Sequence, residues 1–449
     1  MRVSIPTLSG LFARFRQASQ NGTRMVYAGE RPSIMWKHIY TGAMGSVYFS
    51  LLTGIWLVGF GSNIGLQYWH WAAMSAASSF ALVLQLVSAY VASHVGARKL
   101  MWFVAAMCSR MVRALAIAVA FWLYMSRPGT ARALFVALII VGNVFDALCA
   151  PLWWSWFADI IPRRTHGRFA GRRSSWIALA NLLVVVPIGI ALNVTREELR
   201  MPMLIVAFAF GFLVGAVDLL IHRTIPEPPM TETPTGSFWS QVAVPLRDRS
   251  FRPWLVFWAA WSFSMALGGS LSQVYFAENL HMKQDLLGGG IALMVLPLIG
   301  GMIAAGRLGA MVDRYGIKRM LWWGHRFWAL LPLFWLVTTP GNAVWLLGLS
   351  SLVAGVSSNT ATIAGNKLVS RLKPPGQVPM YVAVSTCVGA LAGGFGPMAA
   401  AVVLHALEGK SVQAGPFVFV GFHILFLVSL ILRNASTLLI RRVQEPGKA

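Results

Sequence analysis

Three ionisable residues stand where an apolar sequence can least tolerate them. Arg110, Arg113 and Asp146 fall in the middle of long hydrophobic runs, and a charge at mid-bilayer costs about 2.5–3.5 kcal/mol on insertion scales. At 1.5 Å of rise per residue, Arg110 and Asp146 lie at matching depth, each roughly 18 Å from the same end of consecutive helices. Arg113, one turn from Arg110, shares its helix face. An Arg110/Arg113–Asp146 cluster is therefore expected. Two roles stay open for it: Asp146 as a proton or cation site tuned by the arginines, or a static ion pair that fixes helix packing. The amides of Asn143, Gln273 and Asn359 join it as candidate solute contacts, with a hydroxyl-rich run from Ser357 to Thr362. A single Ser or Thr often bonds its own helix carbonyl, so only the pattern counts.

Other chemistries find no support. No phosphate-cradling GxxxxGK[ST] motif and no nucleophile elbow occurs. Cys108, Cys149 and Cys387 are scattered in apolar runs with no Cys/His cluster, so neither metal nor disulfide framework is expected. The expectation is a non-enzyme with no cofactor. Asp218, Arg307 and Arg433 lie near helix ends and are expected to snorkel to the polar boundary. Arg326 is deeper and needs a partner on the seventh, eighth or twelfth helix.

The elements that position these residues follow from composition. Of 449 residues 57% are hydrophobic and 11% charged, with a mean hydropathy of +0.65; soluble domains carry roughly a quarter charged. Runs near the ~20 residues that span a bilayer recur, and backbone in lipid must bond to itself, which makes them helices. The reading is an all-α polytopic membrane protein of about twelve helices. A tail (1–35) without a signal-peptide core precedes six helices (36–222). A proline-rich linker (223–252) leads to six more (253–440) and a short tail (441–449). The ninth helix is expected at 320–337, the fifth from Ser174 and the twelfth from Pro416.

The net charge of +23 does not indicate nucleic acid, because the basic residues punctuate helix ends. With alternating sides, one side collects 26 Lys and Arg. The other holds six: Arg127, Arg132, Arg196, Arg200, Lys283 and Lys410. The positive-inside rule then puts both termini in the cytoplasm of a cell whose inner membrane holds the chain. Tryptophans such as Trp69, Trp71, Trp322 and Trp323 near helix ends, and Trp153, Trp154 and Trp156, are read as interfacial belts. Gly389, Gly393, Gly394 and Gly396 on helix eleven read as close helix packing. The basic stretch 163–173 fits a solvated loop or anionic headgroups.

The halves echo each other: Gly96, Arg98 and Lys99 after helix two align with Gly316, Lys318 and Arg319 after helix eight at an offset of 220. Internal repeats of this kind mark alternating-access carriers. The second copy, Gly309, Asp313, Arg314, Gly316, Lys318 and Arg319, resembles the loop motif of the major facilitator superfamily. Ile317 replaces a basic residue, and the first copy has Ser93 and His94 where the family has an acid and a base. The segment from Trp153 through Asp159 and Pro162 to Arg168 is also similar to family members. The resemblance implies two six-helix bundles, a cavity lined by helices one, four, seven and ten, and an inner gate in which Asp313 meets the start of helix eleven. It implies a secondary carrier of a small solute in the lipid bilayer, for which a monomer is compatible. The rival is a transporter-like sensor or assembly factor that moves nothing.

Overall fold

A computed structural model describes residues 23, 26–27, 29–95, 97–160, 166–229, 237–283, 285–372, 378–414 and 417–444. Eleven helices among them are long and apolar enough to cross a membrane. The first half comprises α1 (Arg31–Leu51) and α2 (Gly54–Asn63), which share one span, then α3 (Tyr68–Ala81) with α4 (Leu84–Val95), α5 (Arg98–Leu123), α6 (Pro128–Ile160), α7 (His166–Val194) and α8 (Glu197–Arg223). A short α9 (Phe238–Arg247) belongs to the linker. The second half opens with α10 (Arg252–Gly269) and α11 (Ser272–Glu278), then α12 (Leu286–Gly290), a π-turn and α13 (Leu296–Tyr315). It continues with α14 (Ile317–Ala329), α15 (Leu331–Leu336), α16 (Ala343–Leu372), α17 (Val378–Ala406) and α18 (Gly421–Leu439).

The ninth helix, which is not among those eleven, is split into α14 and α15. It breaks at Leu330, and Pro332 at the start of α15 explains the break, since proline cannot donate to the preceding turn. Helix five begins at His166, so much of the expected basic loop is helical. The twelfth starts at Gly421 because Phe417–Val420 pairs antiparallel with Ser411–Ala414 in a hairpin. Its alternating Phe and Val suit a strand better than a helix.

The repeat shows in the breaks. The first span is interrupted at Leu52–Thr53 and the seventh at Ser270–Leu271, 218 residues on. Gly54 re-enters helix with φ +60°, and a Cβ there would lie 2.6 Å from Met294 Cε of the other half. The positive φ is what calls for glycine, since the Met294 methyl ends a flexible side chain and can give way.

Packing distinguishes the two ends of the molecule, here called the basic end, where the Lys- and Arg-rich loops lie, and the far end. At the far end one buried core draws on both halves, joining Trp56, Phe60 and Leu192 to Tyr275, Leu286 and Phe426. At the basic end the core divides. One cluster holds Trp156, Phe157 and Leu219 of the first half, and another holds Trp261, Leu321 and Tyr381 of the second. The halves are thus joined at the far end and separate toward the basic end.

Candidate functional site

Helix α6 carries Asn143 and Asp146 one turn apart, and α5 presents Arg113 to both. Arg113 Nη2 donates to Asp146 Oδ2 and Asn143 Oδ1, each at 2.5 Å. Ser109 Oγ donates to Asp146 Oδ1 at 2.5 Å, and Asn143 Nδ2 reaches Ser78 Oγ on α3. Gly142 makes room, since a Cβ there would meet Arg113 Cγ at 3.0 Å. The Arg113 side chain is 8% exposed but that of Asp146 is 42%. A carboxylate at this depth is costly against lipid, and Asp146 is the more open member of its pair. The arrangement is one carboxylate anchored by a guanidinium and a hydroxyl.

Arg110 does not join this cluster. Its guanidinium turns to α8, where Nη2 pairs with Asp218 Oδ2 and Nη1 donates to the Gly215 carbonyl, each at 2.5 Å. It also lies 4.9 Å above the Tyr48 ring. Residues three apart on a helix differ by about 60° in direction, enough here to send two arginines to different neighbours. Asp218 is 2% exposed, so it does not snorkel; its face of α8 is turned into the bundle. His222 Nδ1 lies 2.9 Å from Asp218 Oδ1 and 3.1 Å from the Asp218 carbonyl, and only the carbonyl is aligned to accept. Trp153 Nε1 approaches His222 Nε2 at 3.3 Å, which fits an imidazole protonated on Nδ1.

Arg433 likewise fails to snorkel. It is fully buried, donates to the Met265 carbonyl at 3.2 Å and stacks 5.3 Å from the Trp335 ring. Arg326 finds its partner on α18, donating to Asn434 Oδ1 at 2.5 Å. The side chain of Arg307 lies outside the described residues. Trp156 is buried and donates to the Pro226 carbonyl, and Trp71 is buried, so neither is interfacial. Trp69 and Trp323 are exposed as expected.

Gln273 and Asn359 are not brought to Asp146. Gln273 sits on α11 with Oε1 enclosed and unpaired among the described residues. Asn359 donates to its own helix at Gly355, 2.8 Å away, and packs against Gly301. Ser357 and Thr360 also bond carbonyls of their own helix.

In the second-half loop motif, Gly316 has φ +91° and ψ 149° between α13 and α14, a region essentially closed to other residues. Arg314 lies over Tyr315, and Arg319 is exposed. Lys318 Nζ donates to the Arg441 carbonyl at 2.8 Å. The surroundings of Gly309, the side chains of Asp313, Ser93 and His94, and the segment before helix eleven lie outside the described residues.

A hub that sequence reasoning missed lies at the basic end of the first half. Arg98, 1% exposed, donates to Asp159 Oδ2 at 2.6 Å, Ser155 Oγ at 2.9 Å and the Pro228 carbonyl at 3.1 Å. Its Nε stands 3.6 Å from Glu227 Oε1. Lys99 Nζ donates to the Arg223 carbonyl at 2.8 Å, a contact of the same kind as that of Lys318 with the Arg441 carbonyl, although at the offset of 220 Lys318 aligns with Arg98. Burial pushes the Glu227 carboxyl above its ordinary value, opposed by the Lys99 backbone N–H and by Arg98. The proline-rich start of the linker is therefore strapped to the first half.

Comparison with known proteins places this arrangement. A family model described as Major Facilitator Superfamily matches residues 38–397. No curated protein matches the sequence. Among solved structures, a single-site mutant of the nucleoside transporter NupG superposes with TM-score 0.68 at 13% identity, over 92% of this chain and 100% of that one. The xylose transporter XylE from E. coli gives 0.63 at 14%, over 93% and 99%. A bacterial homolog of the human lysosomal transporter Spinster gives 0.60 at 12%, over 93% and 96%. At such identities the likeness is one of fold.

Proposed function

The chain belongs to the Major Facilitator Superfamily, and from that premise we propose a secondary carrier that moves a small organic solute by alternating access. The observation that carries this reading is the packing asymmetry, one core shared at the far end and two separate cores at the basic end. That is the shape of a carrier closed on one side and open on the other. With the excess of Lys and Arg in the cytoplasm, both termini are cytoplasmic, the membrane is the cell's inner one, and the open side faces in. The bundles 36–222 and 253–440 are the two moving bodies, and one chain suffices. Asp146, half-exposed and held by Arg113, is the proposed coupling carboxylate. The loop motif from Gly309 to Arg319 is the proposed inner gate.

Uptake and counterflow by the purified protein in liposomes, over a library of polar metabolites at two pH values, test the reading. Solute flux in the wild type with loss of pH dependence in Asp146→Asn is expected. Absence of flux for every solute would transfer the argument to the sensor or assembly role.

A further inference from the structure

We infer that the second half carries a binding pocket for a planar heteroaromatic ring, separate from the Arg113–Asp146 network. Trp254 and Trp258 lie one turn apart on α10, with ring planes 13° apart and centroids 5.6 Å apart. Trp254 Nε1 is pinned to Ser385 Oγ on α17 at 3.0 Å. Two glycines seat the pair. A Cβ at Gly389 would stand 2.5 Å from Trp258 Nε1, and one at Gly365 would stand 3.2 Å from Trp254 Cη2. His325 fills in behind, edge-on to Phe257 and Trp261.

Trp254, Trp258, His325, Gly365 and Ser385 bound a cavity of about 290 Å³, whose remaining wall includes Trp328, Thr362, Asn366 and Thr386. No lining residue carries a carboxylate, an ammonium or a guanidinium. Asn366 and Thr362 are exposed at its mouth and offer an amide and a hydroxyl. Indole faces with a few polar groups at the rim select a flat ring with a hydrogen-bonding edge. Trp258 is six residues from the start of α10, roughly 9 Å from the basic end, so a solute entering there meets this wall early.

The first half supplies an internal comparison. Trp36 and Tyr40, 218 residues earlier, stack in the same way at 24° and 5.6 Å. There Trp176 packs edge-on against both rings and the flat guanidinium of Arg172 lies 4.5 Å above Trp36, while Tyr40 stays exposed. In the second half no aromatic ring or guanidinium of α17 lies over the pair among the described residues; Ser385 and Thr386 of α17 line the cavity beside it, with Trp254 buried and Trp258 half-buried.

Binding needs no gradient, so the test is independent of transport. Saturation-transfer-difference NMR on the purified protein in detergent would use nicotinamide and caffeine as probes and mannitol as the non-planar control. Ring-proton saturation is expected in the wild type and in Asp146→Asn. Binding about tenfold weaker is expected in Trp258→Ala, the loss of one aromatic contact, and in Gly389→Ala, where the added methyl displaces the indole. Melting curves establish that each variant is folded. Equal saturation in a folded Trp258→Ala, saturation of mannitol to the same degree, or no ring saturation in the wild type at millimolar probe overturns the pocket. Failed uptake with ring binding intact would count against the carrier alone and leave the pocket standing.

Discussion

At the scale of single residues, the buried ions divide into two kinds with different expected consequences. Asp218 and Arg110 are both enclosed, and removing one partner leaves the other charged in a dry bundle. Asp218→Asn should therefore destabilise by about 3–5 kcal/mol, read as a large fall in melting midpoint. Asp146 is itself 42% exposed, but its partner Arg113 is 8% exposed and would be left charged without its carboxylate, so Asp146→Asn should also lower the melting midpoint, and what sets it apart is the accompanying change in transport. If Asp218→Asn changes the pH dependence of transport as Asp146→Asn does, the distinction between a packing pair and a functional pair is wrong. Glu227 makes a second, signed prediction. Its folded-state pKa is raised above the ordinary 4.5, first by burial. A raised pKa means that the folded state holds the proton more tightly than the unfolded chain. The stabilisation is present below about pH 4.5 and is lost as pH rises through the folded value. Glu227→Gln should flatten the decline of melting midpoint as pH rises above 4.5, and a parallel decline in both proteins would refute it.

At the scale of elements, the legible parts of the fold were those set by hydrophobic length and by charge at helix ends. Helix number, the two halves, the linker and the repeat all follow from these, because lipid permits so few alternatives. The misjudged parts depended on what a residue touches. The spacing of Arg110 and Arg113 put both near Asp146, yet depth and spacing do not say which neighbouring helix lies along each side-chain direction. The hydroxyls of α16 read as cavity lining, whereas Ser357 and Thr360 satisfy themselves on their own helix. Gln273 and Asn359 were grouped with Asp146 by polarity, which carries no information about distance. Trp156 was assigned to the interface by residue type, though its ring packs under the linker. Arg98 was visible only as one of a basic pair, since Glu227 meets it from 129 residues away. Turn chemistry transferred better. Gly316 at φ +91° sits where other residues cost of order 1–3 kcal/mol. Gly316→Ala should lower the melting midpoint accordingly, whereas Gly341→Ala, with open space around its Cβ position, should not. Equal effects would mean that the α13–α14 turn is not strained.

At the scale of the whole molecule, the closed far end is held by contacts that a proposed exchange of states must break. Asn193, at the far end of α7, reaches across to the start of α12. Its Nδ2 donates to Asp285 Oδ1 at 2.8 Å, and its Oδ1 accepts from the Leu286 and Leu287 backbone N–H groups at 2.9 and 3.3 Å. Asp285 in turn caps α12 through the Gly288 N–H, so one amide ties a helix of the first half to a helix start of the second. Three hydrogen bonds at about 0.5–1.5 kcal/mol each amount to a shift of one to three powers of ten in a two-state equilibrium. Asn193→Ala should therefore raise the population open at the far end without unfolding either bundle, because each half keeps its own core at the basic end. A cysteine at Ala277, fully buried in the shared core, reports on this when the three native cysteines are replaced by serine. In liposomes of known orientation, a membrane-impermeant thiol reagent added at the far side should label Ala277→Cys slowly. It should label the same variant at least tenfold faster when Asn193→Ala is also present. An unchanged labelling rate would mean that the apolar core, and not this latch, keeps the far end shut, and the two-state balance would then have to be sought in the packing of Trp56 and Met294 across the same seam.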